Sequence, residues 1–327
     1  MGQEVYKNIY LEELELPKNP LKYLNWYIIK GEKKNIIVDT GFDREDTRKI
    51  VQEHLRNYDL HPDNTILFLT HLHSDHTGLA SFYQEEGFPI YMSHWDGEDI
   101  RRSIDPYALR WTKMVERSIK QGLAVDKLEI DEHPGFRYRP KTKIDYIEVL
   151  FGDRLDLGNY VFEVIDLSGH TPGQVGLYER KHQLLFCGDH ILAKITPNIT
   201  YWGEEVGDSL GQYLKNLDKI FAMEVKHLFS SHRYLVKDHR QRIEELKNHH
   251  QKRVKESLSI VKKLGKASVR DVTIRMHWDI RSKSWKDFPN SQKWFAAGEA
   301  QAHLEYLKRQ GKIEQMEEDG VWYYRAL

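Results

Sequence analysis

Residues 70–79 read THLHSDHTGL, which places His71, His73, Asp75 and His76 within six positions. The stretch emerges from TILFLT (65–70), a short continuous apolar run of the kind a strand buried on both faces needs. His71 and His73 are two apart at the strand exit and project to the same side, while Asp75 and His76 follow in the turn. Three readings are open for this stretch alone. It is a solvated polar loop, a catalytic base with its neighbours, or half of a metal site completed further along the chain.

The same design recurs downstream. His170 stands in LSGHTPGQ after the apolar stretch YVFEVIDLS, between Gly169 and Gly173, which let the backbone turn sharply. Asp189 stands in LLFCGDH behind Gly188, and His232 in HLFSSHR. Each follows a predicted buried strand. Around them VYKNIYLEELEL, KYLNWYIIK, NIIVDT, YIEVLF, YVFEVIDLS, QVGLYERKHQLLFCGD and KHLFS read as strands. DREDTRKIVQEHLRNYD reads as a helix capped by Asp43, with Thr47, Ile50, Val51, His54 and Tyr58 at helical spacing, and SLGQYLKNLDKIFAM as another. The sum is a layered α/β module, in which chemistry tends to sit in loops at strand ends. A lone histidine is more often a satisfied polar residue than a ligand. Four strand-end loops of one design are hard to explain that way.

HLHSDH, the SGHTPG histidine, the GD aspartate and a strand-end histidine, in this order, resemble the metallo-β-lactamase-fold hydrolase superfamily over roughly residues 5–245, closest to its glyoxalase II, thioesterase and lactonase-like branch. The VDTG segment holding Asp39 adds to the likeness. The resemblance implies an αββα sandwich with two divalent metal ions in a shallow groove. By it, His71, His73 and His170 hold one ion, Asp75, His76 and His232 the other, and Asp189 bridges them. Five imidazoles and two carboxylates without a thiolate suit zinc, with iron or manganese as further options. Two such ions about 3.5–4 Å apart lower the pKa of a shared water towards 7 and neutralise charge forming on the substrate. The resemblance also implies that Asp75 handles a proton there, since metal-ligating carboxylates of the family stand near the attacking water. Asp39 is implied to accept the second N–H of a ligand histidine and so fix its tautomer, beside the simpler reading of a turn cap. His94 and His190 have no place in the ligand set and read as packing residues.

Two features depart from the family pattern. Ser230-Ser231-His232-Arg233 stands where many relatives carry Gly-His, and no cysteine occupies the position that antibiotic-hydrolysing relatives often use as a ligand. The second argues against β-lactamase activity. The insert 94–130 reads as helical and aromatic, and Trp95, Tyr107, Trp111 and Met114 suit either a lid over the groove or ordinary helix packing. Tyr201, in ILAKITPNITYW, is a candidate donor to a developing oxyanion, as in related esterases and lactonases.

Beyond residue 245 the surroundings change. Residues 246–327 carry 17 Lys and Arg against 10 Asp and Glu, and the chain before them 32 against 40. KDHRQRIEELKNHHQKRVKESLSIVKKLG reads as a long helix or a pair, stopped by Gly265. A short helix lies around SVRDVTIRMHW, and SQKWFAAGEAQAHLEYLKRQG is a third, capped by Ser291 and closed by Gly311. IEQMEEDGVWYYRAL is a hairpin turning at Asp319-Gly320. Three helices and a hairpin resemble the winged helix that ends one branch of the superfamily, a branch with small-thioester hydrolases and an RNA-cleaving member. Two domains, 1–245 and 246–327, are thus expected.

The expected function is metal-dependent hydrolysis of a small-molecule ester, thioester or lactone. The rival is a ribonuclease or other phosphodiesterase using the basic C-terminal module. Glu299 and Glu305 on the would-be recognition helix, and the lack of arginine at its start, argue against base reading. The bland alternative, a domain that shapes the pocket or a homodimer, is preferred. At 327 residues with 40% hydrophobic and 12% aromatic content, the chain has enough apolar material for two cores. Its one cysteine, Cys187, excludes disulfides within the chain. MGQEVYKNIYLEELEL has no basic region followed by an apolar stretch, so a soluble cytoplasmic protein is expected.

Overall fold

The structure, a computed structural model, describes residues 2–17, 19–280 and 282–327. Seven strands form the first sheet in chain order: β1 (Gln3–Tyr6), β2 (Ile9–Glu15), β3 (Tyr23–Ile29), β4 (Asn35–Val38), β5 (Thr65–Phe68), β6 (Ile90–Ser93) and β7 (Ile147–Val149). The pairs from β1 to β4 are antiparallel and those from β4 to β7 parallel. The second sheet holds β8 (Arg154–Asp156), β9 (Val161–Asp166), β10 (Val175–Glu179), β11 (Leu184–Gly188) and β12 (His227–Ser230). Only β11 and β12 run parallel there, so β9, β11 and β12 all point the same way.

Period-two alternation explains why the central strands read as unbroken apolar runs. From β3 to β5, Leu24, Trp26, Ile28, Ile37 and Leu67 enter a core against the helix Glu45–Asn57 and its neighbours. Tyr27, Ile29, Ile36, Val38, Ile66 and Phe68 enter the core between the sheets, where Phe162, Val164, Leu177, Phe186 and Phe229 meet them. The outer face of the second sheet gives Ile165, Tyr178, Leu185 and Cys187 to a third core with the helix Ser209–Ala222. Helices therefore cover both outer faces of two stacked sheets.

Several local expectations need correction. VYKNIYLEELEL is two strands, because Lys7-Asn8 makes a two-residue turn with Asn8 at φ 58°. QVGLYERKHQLLFCGD is likewise the hairpin β10–β11. Asp43 does not cap the first helix; its carboxylate accepts from Arg48 Nε at 2.9 Å, and Ile50 on that helix lies exposed. Ser291 caps nothing, since the helix Asn290–Arg309 begins one residue earlier behind Pro289. Strands β6 and β8 are too short to have shown a period.

The C-terminal region contains one long helix, His239–Leu264, capped by Asp238, whose side chain accepts from Gln241 N at 3.0 Å. It runs without a break across position 245. Ile243 and Leu246 belong to the third core, Val261 to a fourth, and Val254 packs against both. The fourth core joins it to the helices Val269–Thr273 and Asn290–Arg309 and to a three-stranded sheet of β13 (Ala267–Ser268), β14 (Ile313–Glu318) and β15 (Val321–Ala326), in the order β13-β15-β14. The β14–β15 turn is Asp319-Gly320, both at positive φ. Among the described residues, no helix is long and apolar enough to cross a membrane.

Candidate metal centre

Strands β4 and β5 are parallel, as are β11 and β12, so Asp39, the 70–76 loop, Asp189 and His232 leave corresponding strand ends. The sheets are stitched together at this edge. Asn25 N donates to Ser231 O at 2.7 Å and Tyr27 Oη to Ser230 O at 2.7 Å. The His170 loop comes in from β9 and presses on the helix Ser209–Ala222. Gly169, at φ 133°, is required there because a Cβ would lie 2.6 Å from the Tyr213 backbone.

The seven ligand-type side chains meet in one buried place. His71, His73 and His170 form one triad of mutually close ligand atoms, Asp75, His76 and His232 another, and Asp189 groups with His71 and His76. Asp189 Oδ1 lies 3.2 Å from His232 Nε2 and 3.5 Å from His76 Nε2, while Oδ2 lies 3.8 Å from His170 Nε2. One carboxylate thus shows an oxygen to each triad.

Hydrogen bonds on the far side of each ring decide what the near side can offer. His170 Nδ1 donates to Asn198 O (2.7 Å), His232 Nδ1 to Tyr23 O (2.9 Å) and His76 Nδ1 to Asp39 Oδ2 (2.8 Å). Thr70 Oγ1 gives its proton to Asp39 and so accepts from His71 Nδ1 at 3.0 Å. In the neutral rings, Nε2 of all four is then a bare lone pair aimed inward. His76 Nε2 and His232 Nε2 stand 3.2 Å apart, and His170 Nε2 stands 2.9 Å from His73 Nδ1. Lone pairs so close repel unless a proton or a cation lies between them. Asp189 Oδ1 is itself buried without a hydrogen-bond donor. The donor set therefore fits divalent metal.

The two triads differ electrically. Burial, then the neighbouring imidazoles, hold His71 well below the usual histidine range, and burial and His170 do the same for His73. Burial opposes the charged form of His76 too, but Asp39, Asp75 and Asp189 outweigh it and raise it to about 10. The carboxylates thus favour positive charge at His76 of the second triad.

Asp39 sits at φ 64° and accepts from Thr70 N, Thr70 Oγ1 and His76 Nδ1, so it bears on one histidine of each triad. A further carboxylate, Asp96, was not visible as a site residue in the sequence. It lies fully buried in the first turn of the helix His94–Ser103 and accepts from Leu72 N (2.9 Å), Gly173 N (2.7 Å) and Thr171 Oγ1. It ties the loops bearing His73 and His170 to the insert. Burial pushes its carboxyl up to about 7 despite those donors.

Above the cluster is a cavity of about 1950 Å³, lined by His73, Asp75, His170 and Asp189 and by residues of the insert and the C-terminal module. Trp95 and Met114 line it; Tyr107 is exposed and does not, and Trp111 is packed away, donating from Nε1 to Ser103 O at 2.8 Å. Of the four lid candidates, two face the cavity. Tyr201 also lines it, but the charged neighbours of its phenol are Glu305, Glu204, Glu205 and Arg117, none a member of the cluster. The aromatic residue against the cluster is Trp202, whose ring stacks on His73 with centroids 6.2 Å apart. His190 is buried against Tyr213, and His94 is exposed beside Glu148.

The family model for the metallo-beta-lactamase superfamily matches residues 21–232. The chain belongs to that superfamily. A second model, for a metallo-beta-lactamase-like C-terminal domain, matches residues 286–327. Human acyl-coenzyme A thioesterase MBLAC2 is 21% identical over 175 residues, covering 50% of this chain and 57% of its own length. Hydroxyacylglutathione hydrolase GloC of Haemophilus influenzae is 29% identical over 159 residues, covering 48% and 61%. The chain thus spans well under two thirds of these curated relatives. A metallo-beta-lactamase family protein of Thermus thermophilus superposes with a TM-score of 0.81 at 24% identity, over 99% of this chain and 100% of that one, which shows a shared fold. In this superfamily chain the His and Asp clusters are groups that could hold metal.

Proposed function

We propose that the chain is a binuclear metal-dependent hydrolase of a small-molecule ester, thioester or lactone, with a thioester as the first choice. The observation that carries this is Asp189, one buried carboxylate with an oxygen towards each of two ligand triads. Zinc suits the nitrogen and oxygen donors, and iron or manganese remain compatible with them. Two such ions, when bound, supply an activated water and neutralise charge growing on the carbonyl oxygen.

The chain's own residues prepare the rest. Asp39, Tyr23 and Asn198 fix the inward tautomers. We assign to Asp75, 3.5 Å from His232 Nε2 and at the cavity surface, the proton released as water attacks. The insert and the C-terminal helix wall the cavity, exclude bulk water and set the room for the acyl group. One relative is named an acyl-coenzyme A thioesterase and another a hydroxyacylglutathione hydrolase, which supports that choice.

We read the C-terminal module as winged-helix-like and as packing rather than polyanion-binding. Its helix Asn290–Arg309 buries 13 of its 20 residues, including Lys293, Glu299 and Glu305, leaving little of it to enter a groove. The test is a panel of thioesters, lactones, phosphodiesters and RNA on zinc-loaded protein. Turnover of a thioester that is lost in Asp189→Ala is the expected result. RNA cleavage alone, lost in the same variant, would reverse the reading.

A further inference from the structure

Asn198 works in two directions at once. Its carbonyl accepts His170 Nδ1–H at 2.7 Å, and its side-chain amide donates to Phe295 O at 3.2 Å and Glu299 Oε2 at 3.0 Å, both on the C-terminal helix Asn290–Arg309. Two residues on, Thr200 lies so close to that helix that a Cβ on Gly298 would fall 2.0 Å from its Oγ1, and Tyr201 N donates to Gly298 O at 3.2 Å. Trp202 then folds back, its Nε1 donating to His170 O at 3.1 Å. Residues 198–202 are therefore a strap with His170 on one side and the C-terminal helix on the other.

The anchor beneath the strap is built for rigidity. Glu299 is buried, and Arg253 of the long helix reaches its Oε1 at 3.3 Å. Burial opposes the charge on Glu299, yet His249, Arg253 and the adjoining imidazoles hold its carboxyl down at about 2. A charged acceptor for the Asn198 amide is stronger than a neutral one.

We infer that the C-terminal module is a positioning element for the first metal site alone. Through Asn198 it fixes where His170 stands and which nitrogen points inward. Among the described residues the second triad has no such tie, since His76 and His232 are oriented by Asp39 and Tyr23 of the N-terminal sheet. The inference rests on the reading that His71, His73 and His170 hold a metal ion; it needs no particular substrate. Asn198 and Glu299 are positioning residues acting through His170.

The experiment is zinc titration of the full-length protein in competition with a chromophoric chelator, which resolves the two binding steps. Asn198→Ala keeps the carbonyl but cuts the amide's tie to the helix, so it should weaken one step by up to about 10-fold, the low end of the scale for losing a partner that orients a ligand, and leave the other unchanged. His170→Ala should weaken the same step. In the His170→Ala background, Asn198→Ala should add little, a non-additivity that a merely structural role would not produce. Glu299→Gln, which keeps shape and loses charge, should shift that step in the same direction by less, and serves if Asn198→Ala fails to fold. Wild type with two zinc ions, one weakened by His170→Ala, but with Asn198→Ala and Glu299→Gln unaltered or weakened at both steps, overturns the inference. No zinc binding by wild type, or no effect of His170→Ala, sinks the metal reading beneath it.

Discussion

Asp39→Asn is a nearly isosteric change with an asymmetric outcome. The carboxylate accepts Thr70 N–H on Oδ1 at 2.8 Å and His76 Nδ1–H on Oδ2 at 2.8 Å. An amide has one acceptor. With its oxygen towards His76, the NH₂ meets the buried Thr70 N–H, and an orphaned backbone donor costs about 1–3 kcal/mol of stability. With its oxygen towards Thr70, the NH₂ meets His76 Nδ1, and the ring must carry its proton on Nε2, the nitrogen the second triad needs. The second arrangement costs the fold less and falls on the metal instead. Thr70 can still donate to the amide oxygen, so His71 keeps its orientation. The expected result is a folded protein that loses about 10- to 100-fold in affinity at one ion, or about 1.4–2.8 kcal/mol, with the other ion held normally. Elemental analysis after dialysis against graded chelator, with circular dichroism as the folding control, reads this out. Two ions at wild-type affinity would return Asp39 to the role of a turn residue.

Asp189→Ala should weaken both ions together, because the shared carboxylate faces both triads; loss of only one in metal titration would contradict the bridging geometry. Asp96→Ala strands the buried N–H groups of Leu72 and Gly173, and urea denaturation should show a loss of about 2–6 kcal/mol at about 1–3 per orphaned donor. An unchanged midpoint would mean water replaces the carboxylate. Burial, with Arg110 nearby, lowers His133 to about 3, so the unfolded chain binds its proton first as pH falls below about 6.5. Stability should therefore fall from about pH 6.5 towards 3, by up to about 1.4 kcal/mol per pH unit from this residue, and His133→Gln should flatten the slope measured by thermal melts. RNA should bind weakly and with little salt dependence in filter-binding assays; tight binding that collapses as salt rises would identify phosphate contacts the packing reading lacks.

The parts of the fold visible in the sequence were those whose two faces are both buried. TILFLT and LLFCGD are apolar on successive residues because adjacent side chains enter different cores, and that leaves a plain mark in one dimension. The loops after them were visible because histidine and aspartate there have no structural reason to cluster. What was hidden depends on partners far along the chain. Asp96 looks like an ordinary acidic residue in a first helical turn, and only the tertiary fold brings Leu72 and Gly173 to it. Asn198 sits in PNITYW with nothing to distinguish its backbone carbonyl, which is the atom that matters. The caps assigned to Asp43 and Ser291 failed for a related reason. Asp43 is taken by Arg48, and Pro289 starts its helix without a side-chain cap.

The long helix His239–Leu264 has a mechanical consequence. It contributes Ile243 and Leu246 to one core and Val261 to another, and Val254 touches both, with no glycine or proline between them to bend. A shaft of this kind offers no hinge, so the two cores cannot swing against each other without breaking a continuous ladder of helical hydrogen bonds. Heating should then melt them together, as one calorimetric transition whose van't Hoff and calorimetric enthalpies agree. A protease given the native protein should find no cut in the middle of this helix that releases an intact half.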